Sequence, residues 1–134
     1  MVEVLVFPDV EAVTVAYLKA QLTALDDTAR VATYVPSPRP NRLVKVTRNG
    51  GAGDWPHTDR PLVVVQCWDT TTVAASTLAS LVRGLLWALP SDTTHGADVR
   101  RVNDVGGLAF FPDPATSLPR YQVSVQFHTR AHAL

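Results

Sequence analysis

The sequence predicts one α+β domain over residues 1–134: a mixed, mainly antiparallel β-sheet with two helices packed on one face, in the order α-β-β-β-α-β-β-β. Three observations predict it. Two segments carry apolar residues at helical spacing, and six short segments have the pattern of strands. Stretches rich in glycine, proline or polar residues separate them. A length of 134 residues fits one domain that buries its own core.

The first helix is predicted over residues 9–25. Asp9 suits the N-cap position, where its side chain can accept a hydrogen bond from a free backbone N–H. Two adjacent apolar rows run along this helix: Val10, Val13, Tyr17, Ala20 and Ala24, and beside them Val15, Leu18, Leu22 and Leu25. Because the double row is wider than a surface helix requires, one row is a candidate for contact with a neighbouring subunit.

The next segments predict two strands and two connections. Residues 29–35 are strand-like, and the proline-rich stretch 36–40 that follows cannot continue a sheet ladder because proline lacks the donor. Residues 43–48 alternate apolar and polar side chains, the pattern of a half-buried strand, so the two strands are expected to form a hairpin. Residues 49–60 contain three glycines and no apolar periodicity, which predicts a long flexible loop.

The middle of the chain predicts the central strand and the second helix. Residues 61–69 are apolar on both faces apart from Gln66, which shares a face with Trp68, as expected for a strand at the centre of a sheet. The second helix is predicted over 72–89, and Arg83 is its only charged residue, so we expect it to be largely enclosed. Its expected apolar side comprises Ala74, Leu78, Leu81, Leu85 and Ala88.

The last third of the chain predicts three more strands. Residues 99–104 and 108–111 flank two glycines within 105–107, which reads as a hairpin with a tight turn. Residues 120–130 alternate without a fault, so one face should pack on the core and the polar face should remain available. The expected core side comprises Tyr121, Val123, Val125 and Phe127. Residues 131–134 are expected to fray.

Composition argues against several classes of function. Lys and Arg total 12 and Asp and Glu total 12, so no overall field draws the chain to nucleic acid or membrane. The charged share is only 18%, which suggests that other subunits cover part of the surface. The single Cys67 lies in an apolar run and is expected to be a buried free thiol. With no signal peptide and no apolar stretch near the ~18 residues of a membrane span, a cytosol-like compartment is expected.

Candidate chemical groups are sparse. His57 and Asp59 lie in the glycine-rich loop, where they could contribute to a cation site, and His95 follows Asp92 in a turn-like segment. No serine sits in a nucleophile elbow, and the glycines lack the context of a phosphate-binding loop. We therefore expect no enzyme, no metal and no cofactor. The densest basic patch comprises Arg39, Arg42, Lys45 and Arg48.

Several segments together resemble a known family. They are Phe7-Pro-Asp9 before the first helix, the strand pair ending in the glycine-rich loop, the run 59–69 leading into an Ala/Leu-rich helix, and the closing strand with residues 121–127. In these features the chain resembles the tail terminator, or tail completion, proteins of long-tailed bacteriophages, particularly those infecting actinobacteria. The resemblance covers most of the chain.

The resemblance implies a structural virion protein. Such proteins form a ring, typically a hexamer, that caps the tail tube, ends its polymerisation and gives the surface for head–neck attachment. The implied partners are further copies of the chain, the tail tube protein, a neck connector, and double-stranded DNA that passes through the channel without sequence-specific binding. The implied location is the tail–neck junction of the virion, reached from the host cytoplasm during assembly.

Exposure and chemistry suggest where the contacts would lie. Contacts with tube or neck are expected at Arg42, Lys45, Arg48 and Trp55, and subunit contacts at Leu18, Leu22, Gln66 and Trp68. Three alternatives remain open: a head completion or neck connector protein of the same virion, a small nucleic-acid-binding module that uses the patch between Arg39 and Arg48, and a small enzyme that uses His57 and Asp59.

Overall fold

The computed structural model describes residues 3–134, and its element bounds follow from local signals in the sequence. The elements are β1 (Leu5–Val6), α1 (Val10–Ala24), β2 (Arg30–Ala32), β3 (Leu43–Arg48), β4 (Thr58–Asp59), β5 (Leu62–Trp68), α2 (Thr72–Ala88), β6 (Val99–Phe110), β7 (Arg120–Arg130) and β8 (His132–Ala133). The fold class is the predicted one: a mixed, mainly antiparallel sheet with two helices, in an α+β arrangement.

Side-chain caps set the starts of both helices. The Asp9 carboxylate accepts a hydrogen bond from the Ala12 N–H at 3.1 Å, and the Thr71 hydroxyl accepts one from the Ala74 N–H at 3.1 Å. Each bond satisfies a backbone donor that the first helical turn leaves free. At its other end α2 runs into a short 3-10 turn containing Pro90, which cannot continue the helical ladder.

The main sheet has the strand order β2-β3-β5-β7-β6, and β4 pairs with β7 beyond the end of β5. All its pairs are antiparallel except β2–β3, which is parallel with Arg30 opposite Leu43. The predicted hairpin between these two strands is therefore wrong. Residues 33–42 instead carry the chain back to the starting end of β2, and their prolines keep this return outside the ladder.

The second predicted hairpin is also wrong, because β6 is one strand that pairs with β7 along its length. Asp104 lies opposite Val125 and Leu108 opposite Val123, so residues 105–107 bulge out opposite a single residue of β7. Gly106 and Gly107 have φ of +82° and +66°. They supply the left-handed backbone expected of them, but for a bulge rather than for a reversal.

Both segments predicted to lack regular structure contain strands. The chain end forms β8, which pairs antiparallel with β1, and the Leu134 N–H donates to the Val4 carbonyl at 2.9 Å. The expected fraying of residues 131–134 is not what the structure has. Within the predicted loop 49–60, β4 pairs with the end of β7.

The core lies between the helices and one face of the sheet. Its sheet side comprises the buried residues Val44, Val46, Val63, Val65, Cys67, Val123, Val125 and Phe127. Burial raises the pKa of the Cys67 thiol to about 12, so the thiol stays protonated at neutral pH.

The fully buried stripe of α2 shares only Leu78 with the predicted side, although Leu81 and Leu85 pack partly buried against the core. It comprises Ala75, Leu78, Ala79, Val82 and Leu86. Val73 is 75% exposed and Trp87 48% exposed, so the expectation of an enclosed helix is wrong. By length and composition alone, Thr72–Ser91 is also apolar enough to cross a membrane, with a mean hydropathy of 1.4, which corrects the expectation that no stretch approaches such a span. In the fold, one face of α2 is a core surface on the sheet.

Candidate interaction surfaces

The sheet face opposite the helices is polar and half-exposed. Cross-strand neighbours on this face include Lys45, Gln66 and Gln122, which lie in one row of the sheet. The Gln66 side-chain amide donates to the Gln122 side-chain oxygen at 3.4 Å. A shallow groove of about 330 Å³ crosses this face. We call it the polar groove; its lining residues are Lys45, Thr47, Asn49, Val64, Gln66 and Gln122.

The polar groove suits contact with another macromolecule better than chemistry. Among its lining residues Lys45 is the only charged one, and the others offer amides, a hydroxyl and a methyl surface. Amide and hydroxyl groups give hydrogen bonds to a partner, whereas acid–base catalysis needs titratable groups that converge on one reacting atom. The groove therefore has the character of an interface rim.

One end of the sheet is held by an ion-pair cluster centred on Arg42. The guanidinium donates from Nε and Nη2 to the two oxygens of Asp27 at 2.8 and 2.6 Å, and from Nη1 to Asp69 at 2.8 Å. The hydrogen bonds from Arg42 hold the pKa of Asp27 below its usual value. Burial alone would raise the pKa of Asp69, but the hydrogen bonds from Arg42 and the Thr70 N–H outweigh it and leave that pKa lowered.

Beside this cluster, Trp68 anchors two surface connections to the sheet. Its indole N–H donates to the Asp113 carboxylate at 2.9 Å. The guanidinium carbons of Arg39 and Arg120 lie 5.0 and 5.5 Å from the indole ring centroid, in the range of cation–π contacts. Asp113 in turn accepts from the Ala115 N–H at 3.0 Å. Trp68 is only 2% exposed as a result.

At the opposite end of β3, Arg48 holds the glycine-rich loop. Its guanidinium pairs with Asp59 at 3.0 Å and donates to the carbonyls of Gly50 and Gly51. A Cβ on Gly51 would overlap the carbonyl oxygen of Arg60, and the φ of Gly51 is +90°. Only glycine meets both demands there, so this part of the loop packs closely on the chain that enters β5.

The basic patch predicted from sequence is largely neutralised. Arg42 and Arg48 are paired as described, and Arg39 lies 3.7 Å from Asp113. Lys45 is the member of the patch that faces the polar groove.

The predicted contact residues fall into three groups. Lys45 and Gln66 lie on the polar groove, and Trp55 is 66% exposed on the loop, where its ring packs against Phe7 at 5.7 Å. Arg42 and Arg48 are half-buried in ion pairs that hold the fold together. Leu18, Leu22 and Trp68 are at most 2% exposed within a single chain, so their assignment to a subunit interface is wrong. Leu18 and Leu22 are core residues because most members of both apolar rows of α1 pack in the core, while Leu25 at the end of the helix is exposed.

The histidines do not assemble into a reactive centre. His57 is exposed, while its predicted companion Asp59 is held by Arg48. His95 Nδ1 lies 3.2 Å from Asp92, and His128 Nε2 lies 2.8 Å from the amide nitrogen of Asn103. Burial, with the nearby arginines, lowers the pKa of His128. In residues 3–134 no three His, Cys, Asp or Glu side chains group closely enough to hold a metal ion.

Comparison of the sequence with known proteins does not identify a family for this chain. No family model matches the chain, and no curated protein matches it.

Sequence reasoning missed the two edges of the sheet. Exposed apolar residues stand beside both: Tyr34 and Val35 just after β2, and Phe110 and Phe111 at the end of β6. Their exposed fractions lie between 40% and 59%. The signal in the sequence was the uncharged apolar run at the end of β6, which the hairpin interpretation treated as a separate strand.

The burial of Leu22 gives a direct prediction. Leu22→Ala should lower the free energy of unfolding by about 3 kcal/mol, because it leaves a cavity beneath α1. Urea denaturation measures this loss. Leu25→Ala, at a site 55% exposed in the same apolar row, is the matched control and should change stability by less than about 0.5 kcal/mol. Equal losses for both variants would contradict the core assignment.

Proposed function

We propose that this chain is a structural virion protein whose copies form a ring on the end of a phage tail tube. The ring, expected to be a hexamer, ends tube polymerisation and gives the surface on which the head and neck attach. The observation that carries the proposal is the distribution of contact surfaces: a sheet with an open polar groove on the face opposite the helices and exposed apolar residues beside both edges. These features suit a protein that functions by contacting other protein subunits on several of its surfaces.

The mechanism on this proposal is geometric. One side of the ring matches the last layer of the tube, and the other side presents a different surface, so that further tube subunits find no complementary edge. A closed ring of identical subunits uses two different patches on each subunit, which meet head to tail. DNA passes through the centre without sequence-specific contacts.

The head completion and nucleic-acid-binding alternatives differ in what supports them. A nucleic-acid-binding module is the weaker one, because carboxylates compensate Arg39, Arg42 and Arg48, and phosphate binding needs free cations. A head completion protein of the same virion would use the same kinds of surface. Binding to capsid portals rather than to tube ends would identify it.

The test is the mass and location of the full chain with tail tubes. We expect mass photometry to show a ring, and electron microscopy to place it at the ends of tubes assembled from an actinobacteriophage tail tube protein, whose elongation it stops. Portal rings serve as the comparison. A chain that stays monomeric and ignores tubes would overturn the proposal.

A further inference from the structure

The edge strands β2 and β6 lie on opposite sides of the main sheet and differ in chemistry. No other strand within residues 3–134 pairs with the outer edge of either one. An unpaired edge presents a row of backbone donors and acceptors that can bind a further strand, and natural proteins usually protect such edges with charge, proline or bulges. The first half of β6 has this protection from Arg100, Arg101 and the bulge at 105–107.

The second half of β6 lacks it. Residues 108–110 carry no charge and no proline, and Phe110 and Phe111 are 48% and 49% exposed. On the other edge, β2 is three residues long, and the exposed Tyr34 and Val35 follow it after Thr33. The two edges therefore have the same length, and exposed apolar residues lie beside each; Arg30 at the start of β2 is the one charge in the two segments.

The two edges also match in strand direction and in their position along the strands. Counting across the sheet, β6 runs opposite to β2, so β6 of one copy placed beside β2 of another continues the sheet antiparallel. One cross-strand row contains Val31, Val44, Cys67, Tyr121 and Phe110. A copy displaced sideways along its rows would thus bring Phe110 opposite Val31.

The backbone groups support this register. The Phe111 N–H bonds to the Arg120 carbonyl and the Arg30 N–H to the Arg42 carbonyl. Because consecutive residues of a strand direct their N–H and C=O groups to opposite sides, those of Phe110 and Val31 point outward from the sheet. Placed opposite each other, these two residues can exchange both backbone hydrogen bonds.

We infer that copies of this chain join head to tail through their sheet edges, with residues 108–111 of one copy pairing antiparallel with β2 of the next. This rests on the proposed function in taking a ring as the product, and it names the surface that closes the ring. Strand addition supplies the hydrogen bonds, and the aromatic flanks supply the apolar area that three residue pairs alone lack. The contact is heterologous, as a ring requires.

A disulfide tests the register in the full chain. Arg30 and Phe111 would form a non-hydrogen-bonded pair with Cα atoms about 4.5 Å apart, close enough for a disulfide. The double variant Arg30→Cys/Phe111→Cys should oxidise to a ladder of covalent oligomers on non-reducing gels, while each single variant should not form a ladder. The native Cys67 is buried and does not interfere. Arg30→Cys/Trp87→Cys, which pairs β2 with an exposed position on α2, is the off-register control.

A charge on the edge tests the energetics. Phe110→Lys should weaken self-association by at least about tenfold, because an ammonium group would be desolvated in the contact. Trp87→Lys introduces the same charge at a site of equal exposure, 48%, and should leave self-association unchanged. Circular dichroism and melting temperature show whether each variant is folded. If a Lys variant does not fold, the disulfide ladder still tests the contact, because it is measured on the double-cysteine variant.

The outcomes separate this inference from the proposed function. If oligomers form but the disulfide ladder is missing, the contact lies elsewhere and the inference fails, while tube capping stands. If the ladder forms but the oligomer ignores tubes, the inference stands and the proposed function fails. If no ladder forms either alone or with tubes and the chain stays monomeric, both are overturned.

Discussion

Arg42→Ala is expected to lower the free energy of unfolding by about 3 kcal/mol at neutral pH. The guanidinium donates to Asp27 and to Asp69, and the side chains of these two carboxylates are only 12% and 13% exposed. Without Arg42 both negative charges stay in a poorly solvated site with fewer hydrogen bonds and repel each other. Urea denaturation followed by circular dichroism measures the loss.

The loss should depend on pH in a defined direction. The folded-state pKa values of Asp27 and Asp69 both lie below the ordinary value of 3.8. Their stabilising contribution is therefore fully present above that value and is lost as the pH falls through the folded-state pKa. The difference between wild type and Arg42→Ala should be largest at pH 7 and should shrink below about pH 4. A difference of the same size at pH 3 and pH 7 would contradict the ion-pair explanation.

Two further variants separate charge from geometry. Arg42→Lys keeps the charge but lacks the planar group that reaches both carboxylates at once, so about half of the loss should remain. Arg30→Ala is the control. Arg30 is an exposed arginine on the adjacent strand and has no ion-pair partner among residues 3–134, so its removal should lower the free energy of unfolding by less than about 0.5 kcal/mol.

Local patterns predicted the elements of this fold well. The bounds of β3 and β7 are those predicted, since strict alternation marks each residue of a half-buried strand. The starts of α1 and α2 follow from the capping groups of Asp9 and Thr71. These signals lie within a few residues of the feature that they specify, and tertiary contacts did not override them.

Pairing could not be predicted in the same way. The direction of β2 relative to β3 depends on the path of residues 33–42 across the end of the sheet, which no nearby residue encodes. Gly106 and Gly107 suit a turn or a bulge equally, and the deciding factor is that β7, an 11-residue strand, offers β6 a continuous partner. Such contacts join residues far apart in sequence.

Which sheet face a residue lies on could be predicted, but what covers that residue could not. Gln66 and Trp68 share a sheet face, yet Gln66 lies on the polar groove while Trp68 is covered by side chains from the connections that contain Arg39 and Asp113. No residue near Trp68 in the sequence predicts that these side chains bury it. The polar face of β7, in contrast, could be predicted because alternation assigns its residues to a side before any partner is known.

Trp68→Ala is the second variant expected to have a large effect, with a loss of about 4 kcal/mol in the free energy of unfolding. The indole is 2% exposed, and it links the sheet to Asp113, Arg39 and Arg120. Its removal leaves a cavity and frees both connections from the sheet. Thermal and urea unfolding measure the stability. Intrinsic fluorescence gives a second measurement, because Trp55 and Trp87 are exposed and Trp68 is the buried tryptophan.

Trp68→Phe divides that loss into its parts. It keeps most of the packing but leaves the Asp113 carboxylate without its indole donor, so a loss of about 1.5 kcal/mol is expected. Trp55→Ala, at a site 66% exposed, is the matched control for removing a tryptophan and should cost under about 1 kcal/mol. If Trp68→Ala proved no more costly than Trp55→Ala, the indole would not anchor these connections. Trp68 would then again be a candidate for the subunit interface, an assignment that its burial argues against.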